Sequence, residues 1–396
     1  METKHDILVQ NKRVLFISGG DYKYGAPKSM MTMILTLRKL YNIEPIVMTK
    51  KENELNDICT RLGIENYSFW YRDIMAGSPY TNILLTCAKH FVKYLGYLYG
   101  GLIQKRICQI GLDFSKIDII HTNLNRVDIG AYLAQKYHKP HIWHIREMGQ
   151  EDYNVIFYKK KCISYMNEHT TRFLAISDVV KKKWIRMGID SKKILTVYDG
   201  LETDEIKKRK NRTNNILKII ITGHIQPNKG QLQIVEAISK ISADKRQKIQ
   251  LDIVGEAYSD YKNKIVNSIK KNHLEDIVHF TGYQTGIYKK LCNYDIGITA
   301  SKAEGFGRCT VEYMMAGLLT IASDTGANPE IIQNGETGIL YHYGDSSDLA
   351  KKIEWCIDNR EECTKIAQRG CDFSRETYSD IRNAENVYRL YQEILN

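Results

Sequence analysis

Short β-branched and aliphatic runs alternate with segments of helical periodicity along this chain, and the series runs twice. In the first half, residues 14–18, 45–48, 117–121, 141–145, 173–176 and 194–197 read as short buried strands. Helix-like stretches at 29–40, 127–137 and 179–187 separate them. The polar, charge-rich segment from Glu202 to Asn215 (ETDEIKKRKNRTNN) then breaks the pattern. It restarts at 217–222 and continues through 250–254, 278–280, 296–299, 320–322 and 338–341. Strands alternating with helices imply parallel sheets of right-handed βαβ units. The expectation is an α/β chain of two Rossmann-like doubly wound domains facing a central cleft, at 1–203 and 216–377, with a linker at 204–215. A closing helix is expected at 378–396, where Tyr388, Leu390, Tyr391 and Leu395 recur at helical spacing, packing back toward the first domain. Ligands of such sheets bind beyond the carboxyl ends of the strands.

A length of 396 residues suits two domains, and 43% apolar with 26% charged residues is ordinary globular usage. The net charge of +11 is uneven: residues 1–203 carry 30 basic and 20 acidic side chains, the remainder 27 and 26. That asymmetry points to an anionic partner for the first half. The nine cysteines are irregularly spaced, with no pair at the separation of a zinc ribbon or redox dithiol, which fits reduced, buried thiols. Residues 1–11 lack the apolar core of a signal peptide, and no run of about 18 apolar residues occurs. A cytoplasmic chain is expected. No recognition helix, zinc finger or stacking-sheet signature is present, so nucleic acid is not an expected partner.

Three strand-to-helix loops carry the candidate chemistry. Gly19 and Gly20 end the first strand ahead of a helix, where backbone amides can meet an anion. The segment GDYKYGAPKS is not a P-loop, because Ala26 and Pro27 separate Gly25 from Lys28. The second half opens in the same way, with His224 and Lys229–Gly230 between a strand and a helix; a lysine beside a helix start can neutralise a phosphate. The third loop, SKAEGFGRCTVE, places Glu304, Gly305, Phe306, Gly307 and Arg308 before a helix and Glu312 within it. Glycines allow close backbone approach, and a carboxylate can accept two hydrogen bonds from vicinal hydroxyls. A helix-capping glutamate and an exposed helical one would explain the same pattern.

Taken in order, these segments resemble the retaining glycosyltransferases of family 4, of GT-B fold. The likeness extends over nearly the whole chain. It rests on Gly19–Gly20, His121, His144, Ser177 in Ala-Ile-Ser, Asp199–Gly200, Lys229–Gly230, Glu304 to Glu312, the run GANPEI at 326–331 and NGETGIL at 334–340. The resemblance implies a nucleotide-diphosphate-sugar donor held mainly by the second domain, with Lys229 on the diphosphate and Glu312 on ribose hydroxyls. Glu304 and the amides of Gly305–Gly307 would face the donor sugar and phosphates. His144, within His-Ile-Arg-Glu, would approach the transferred sugar, with His121, Arg146 and Glu147 on the acceptor or sugar side. No metal or other cofactor is implied, and the sequence contains no Asp-x-Asp. One position departs: His224 stands where the family usually carries an arginine that neutralises the leaving diphosphate, and Arg308 or Arg146 is the candidate substitute.

The reaction so implied moves a sugar to a hydroxyl of a glycan or lipid-linked acceptor during surface polysaccharide assembly. Departure of the diphosphate needs stabilised phosphate oxygens and excluded water. The rival expectation is a catalytically silent GT-B subunit that binds glycan or assists a partner enzyme. A nicotinamide dehydrogenase is set aside, since neither opening strand leads into G-x-G-x-x-G.

Residues 74–112 contain no Asp or Glu, but Lys89, Lys93, Lys105 and Arg106 stand among Phe91, Tyr94, Leu95, Tyr97, Leu98, Tyr99, Leu102 and Ile103. A basic, aromatic-rich amphipathic helix suits an anionic membrane surface, on the cytoplasmic face of an inner membrane. A helix packed on the sheet with solvated lysines would have the same composition.

Overall fold

A computed structural model describes residues 11–19, 22, 25–76, 83–149, 156–209, 215–257 and 259–396. Gly20, residues 77–82 of the basic aromatic stretch and residues 210–214 of the expected linker lie outside them. The chain divides into two compact units, Met1–Gly200 with Asp380–Asn396, and Leu201–Ser379.

In the first unit β1 (Arg13–Ser18), β2 (Glu44–Thr49) and β3 (Glu65–Ser68) precede β4 (Met75–Ala76), and β5 (Ile119–Thr122) and β6 (His141–Ile145) follow. β7 (Ile156–Phe157), β8 (Arg172–Ala175) and β9 (Ile194–Thr196) complete the set. Seven of these make one parallel sheet in the order β3-β2-β1-β5-β6-β8-β9, while β4 and β7 pair as a short antiparallel ribbon. Both faces of the sheet are covered, so its strands read as unbroken apolar runs. Val14, Phe16, Ile119 and Ile142 pack under the helices Gly25–Tyr41 and Asp380–Leu395, and Leu15, Ile17 and Ile120 pack on the other side. The edge strand β3, Glu-Asn-Tyr-Ser, has no such run because none of its residues is fully buried.

The second unit repeats the plan with β10 (Leu217–Thr222), β11 (Ile249–Val254), β12 (Val278–Gly282), β13 (Ile296–Thr299), β14 (Leu319–Ser323) and β15 (Ile339–Tyr341). They form a parallel sheet in the order β12-β11-β10-β13-β14-β15. In both sheets the strand order reverses beside the first strand. The topological switch points, where open α/β sheets bind ligands, therefore fall between β1 and β5 and between β10 and β13.

The linker expected at 204–215 is corrected. The chain passes between the units at 200/201 and again at 379/380. Residues 201–209 pack on the second unit: the Arg209 guanidinium reaches Asp295 at 2.6 Å, and its amide donates to the Ala316 carbonyl at 2.7 Å. Arg375 donates to the carbonyls of Thr203, at 3.1 Å, and of Ile206. A charge-rich composition marks exposure to water and does not exclude such anchoring.

The helix Ile83–Ile103 is turned against the usual rule. Its Tyr97 lies under the Arg72 guanidinium, 4.4 Å from the ring centre, and His90 Nδ1 meets Tyr158 Oη at 2.7 Å. At Gly100 a Cβ would come within 2.7 Å of Trp70 and Arg72, so the helix lies close to these side chains. The aliphatic stripe faces water: Phe91, Val92, Leu95, Leu98, Tyr99 and Leu102 are all exposed, Val92 by 67%. Among the described residues no helix is long and apolar enough to cross a membrane.

Candidate functional site

In the second unit the loops after β10 and β13 meet at the switch point. β10 ends at Thr222, whose amide donates to Tyr313 Oη at 2.7 Å. Tyr313 belongs to the helix Arg308–Met315, and its ring passes where Gly297 of β13 has no side chain; a Cβ there would lie 2.3 Å from the ring. The loop from β10 closes in a turn, Pro227–Lys229, followed by Gly230 at φ +71°. A Cβ at Gly230 would stand 2.1 Å from the Ala300 carbonyl oxygen, which explains the glycine after Lys229. The Lys302 amide donates to Asn228 O at 2.9 Å and ties the two loops together.

Glu304 is gripped from three directions. Its Oε1 accepts from Ser301 Oγ at 2.6 Å and forms an ion pair with Lys229 Nζ. Its carbonyl accepts from the Ala327 amide at 3.0 Å, and Gly326, at φ +59°, passes so close that a Cβ would sit 2.4 Å from the Glu304 nitrogen. The pair is partly exposed, with 28% of the Lys229 side chain and 16% of that of Glu304 open to water. Gly307, at φ +80°, begins the helix that carries Arg308 and Glu312, and Arg308 Nε donates to Glu312 Oε1 at 2.9 Å. Asn328 braces the start of this helix, accepting from Thr310 Oγ1 at 2.9 Å and donating to the Ser323 carbonyl at 3.1 Å. Burial pushes the thiol of Cys309, on the same helix, up to about 11, so it is no ready nucleophile. His224 is half-buried in the first loop and its carbonyl accepts from Gln231 Nε2 at 3.0 Å.

One expectation needs correcting here. The Phe306 ring, expected on the donor side, is buried edge-on against Tyr378, 5.8 Å between centres, and packs the loop. Arg308, the expected candidate substitute for a missing arginine, is paired with Glu312 and would have to leave that carboxylate to reach a diphosphate.

In the first unit the expected residues collect at the carboxyl edge of β1, β5 and β6. Gly19 leaves room for Leu124, whose Cδ1 would lie 2.9 Å from a Cβ. His121 and His144 point to the same face of the sheet, and both are fully buried. Their rings meet at 3.3 Å, His121 Nε2 to His144 Nδ1, and His121 Nδ1 lies 2.7 Å from Tyr391 Oη. Burial is the main cause that holds both imidazoles neutral, lowering His121 to about 3 and His144 well below its ordinary value; the nearby Arg146 charge acts in the same direction. Arg146 Nη1 donates to both carboxylate oxygens of Asp199, at 2.8 and 2.7 Å, and its Nε donates to Asn123 Oδ1 at 2.8 Å. That engagement makes Arg146 a poor candidate for a mobile counter-charge. Glu147 pairs with Arg126 at 3.1 Å, and desolvation raises its carboxyl above the ordinary range.

Five buried side-chain atoms here have no hydrogen-bond partner among the described residues: Ser18 Oγ, Asn125 Oδ1, His144 Nε2, Arg146 Nη2 and Glu147 Oε2. Each such atom costs about 1–3 kcal/mol. Five along one sheet edge suit a polyhydroxylated ligand that supplies the absent partners. Asn123 and Asn125 escaped the sequence reading, while Asp199, Ser301, Asn328 and Tyr391 entered it only as members of motifs or of the last helix, without these partners. Tyr391 is 270 positions from its partner His121, and no local signal connects them. Ser177, part of the resemblance, accepts from the Val180 amide at 3.3 Å and caps a helix. The described residues include no group of three or more His, Cys, Asp or Glu able to hold a metal ion.

The architecture is the GT-B fold. HepE of Anabaena, solved with UDP and glucose, superposes over 97% of this chain and 100% of its own with a TM-score of 0.76 at 17% identity. Residues 202–372, within the second unit, match the family model of glycosyl transferases group 1, and over that region the chain is similar to this group. The putative glycosyltransferase EpsD of Bacillus subtilis is 25% identical over 213 residues, 53% of this chain and 54% of EpsD. This chain thus spans about half the length of that relative. The capsular polysaccharide biosynthesis glycosyltransferase CapH of Staphylococcus aureus is 21% identical over 328 residues, 81% of this chain and 84% of CapH.

Proposed function

We propose that this protein is a retaining glycosyltransferase that moves a sugar from a nucleotide-diphosphate-sugar to a hydroxyl of a glycan or lipid-linked acceptor in surface polysaccharide biosynthesis. The observation that carries this reading is the meeting of Lys229, Glu304, the Gly305–Gly307 loop and Glu312 at one switch point. The UDP and glucose bound to HepE and the polysaccharide pathway of CapH support the donor and the process.

Lys229 and the amides opening the helix at Arg308 stabilise the charge that grows on the β-phosphate. The bond from the anomeric carbon to the phosphate oxygen breaks, and the acceptor oxygen bonds that carbon on the same face. The acceptor proton passes to the departing phosphate. No cofactor or metal enters this scheme. His144, Arg146 and Glu147 offer the sugar or acceptor two donors and an acceptor. The purified protein is to be incubated with UDP-sugars and candidate acceptors, measuring nucleotide release and the anomeric configuration of the product. Binding of a UDP-sugar by thermal shift without release or transfer identifies the silent subunit instead.

The expected site of work is an anionic membrane surface on the cytoplasmic side. The first unit carries 32 basic and 22 acidic side chains, and its exposed stripe on Ile83–Ile103 has Lys89 and Lys93 beside it and no acidic residue. Polybasic attraction adds about 1 kcal/mol per residue near such a surface. Flotation with phosphatidylglycerol vesicles at low salt is expected to carry the protein upward, and Leu95→Glu with Leu98→Glu to abolish it. Failure of the wild type to float removes the membrane from the proposal.

A further inference from the structure

The geometry points to Tyr391 as a positioning residue that, through His121, fixes His144 as a hydrogen-bond donor at Nε2. The buried hydroxyl of Tyr391 lies 2.7 Å from His121 Nδ1. A buried phenol proton needs an acceptor, so Tyr391 donates and His121 Nδ1 accepts. A neutral imidazole carries one proton, which for His121 must then sit on Nε2. That nitrogen faces His144 Nδ1 at 3.3 Å and donates to it. His144 in turn holds its single proton on Nε2, the buried atom that has no partner among the described residues. The complete burial that keeps both histidines uncharged keeps the chain of donors unambiguous.

The fold explains how residues so distant come together. Along β5 and β6 side chains alternate between faces, so His121 and His144 share the side occupied by Ile119 and Ile142. The helix Asp380–Leu395 covers that side with Ala384, Val387, Leu390 and Tyr391. It brings to that side the hydroxyl that sets the direction of the relay. Resting on the glycosyl-transfer reading, the acceptor of the His144 Nε2 proton is an oxygen of the sugar or its acceptor. His144 then acts as a neutral donor and not as a general base.

The test is long-range ¹H–¹⁵N spectroscopy of the imidazoles in the wild type and in Tyr391→Phe, which retains the ring and its packing. The wild type is expected to show His144 wholly as the Nε2–H tautomer, and Tyr391→Phe a mixture at both histidines. With a working donor and acceptor, the same variant is expected to lose about 2- to 10-fold in kcat, the worth of one net hydrogen bond, with KM for the donor unchanged. His121→Gln, whose amide can still donate to His144 Nδ1, is expected to keep the Nε2–H form, and His121→Phe to lose it. An Nδ1–H His144 in the wild type, or an unaltered tautomer in Tyr391→Phe, overturns the relay. If the tautomers behave as expected while no nucleotide-sugar is turned over, the relay stands and the functional reading fails.

Discussion

Lys229 and Glu304, 75 residues apart, form an ion pair between the two loops that end β10 and β13. On the proposed reading, the ammonium that would meet the donor's diphosphate is held by a carboxylate that would itself repel that diphosphate. That reading requires donor binding to shift Lys229 away from Glu304 or to neutralise the pair with the sugar's hydroxyls.

Opposite consequences follow for the two partners. Lys229→Ala removes the cation and leaves Glu304 beside the phosphates. A rise of about 10- to 100-fold in donor KM is expected, the range of a lost charge-assisted hydrogen bond. Glu304→Gln removes the repulsion, so UDP alone should bind as tightly as to the wild type or more so, while kcat falls. Isothermal titration with UDP alongside steady-state kinetics separates them. Weaker UDP binding by Glu304→Gln would show that the carboxylate supports the nucleotide through Lys229 and has no separate task.

The glycines behind the pair should be intolerant. At Gly326, with φ +59°, an added Cβ falls 2.4 Å from the Glu304 nitrogen and 2.6 Å from its carbonyl oxygen. Gly326→Ala combines left-handed strain with a backbone clash, at a cost of about 1–3 kcal/mol. Since only the loop can move, Glu304 is displaced as well. Calorimetry is expected to show a lowered transition for the second unit, and kinetics a larger loss of kcat than the stability change explains.

Acid should weaken the first unit selectively. His121 and His141 are neutral and fully buried, their proton affinities lowered by burial to about 3 and about 4 from the ordinary 6.5. The unfolded chain binds protons near pH 6.5 that the folded unit does not. Their contribution to stability is therefore complete above about pH 6.5, and it is lost as the pH falls toward 4 for His141 and 3 for His121. At pH 5 each costs about 2 kcal/mol. Thermal melts at pH 7 and pH 5 should show this loss, reduced in His121→Gln, which cannot take up a proton. Equal slopes for His121→Gln and wild type would place that histidine's protonation elsewhere.

How far the sequence could be read depended on the range of the interactions. The strands of both sheets were legible because a parallel strand covered on both faces must be apolar throughout, as at residues 217–222. β3 was not, since an edge strand such as Glu-Asn-Tyr-Ser carries no pattern. Helical spacing at Tyr388, Leu390 and Tyr391 marked the last helix, but that Tyr391 meets a histidine on β5 follows only from its return to the first sheet. The glycine loops were visible as loops. Which charges they pair was not, because the Lys229–Glu304 contact needs the three crossovers from β10 to β13 to bring its ends together. The linker was misplaced because charge was taken for lack of contact, whereas Arg209 is held by Asp295.

Arg308 and Glu312 offer the sharpest test of the departure at His224. They are joined at 2.9 Å one turn apart, with 30% and 11% of their side chains exposed. If Arg308 turns from Glu312 to the leaving diphosphate, it takes the place of the arginine that His224 replaces. Arg308→Ala should then lower kcat/KM for the donor by about 10- to 100-fold, as loss of a hydrogen bond to a charged group would. Restoring an arginine with His224→Arg in that background should recover part of the loss, and Glu312→Gln alone should raise donor KM by weakening the hold on ribose. Normal donor affinity and turnover in Arg308→Ala would reduce the pair to a helix-surface contact worth about 0.2–0.5 kcal/mol. The leaving charge would then fall to Lys229 and the loop amides alone.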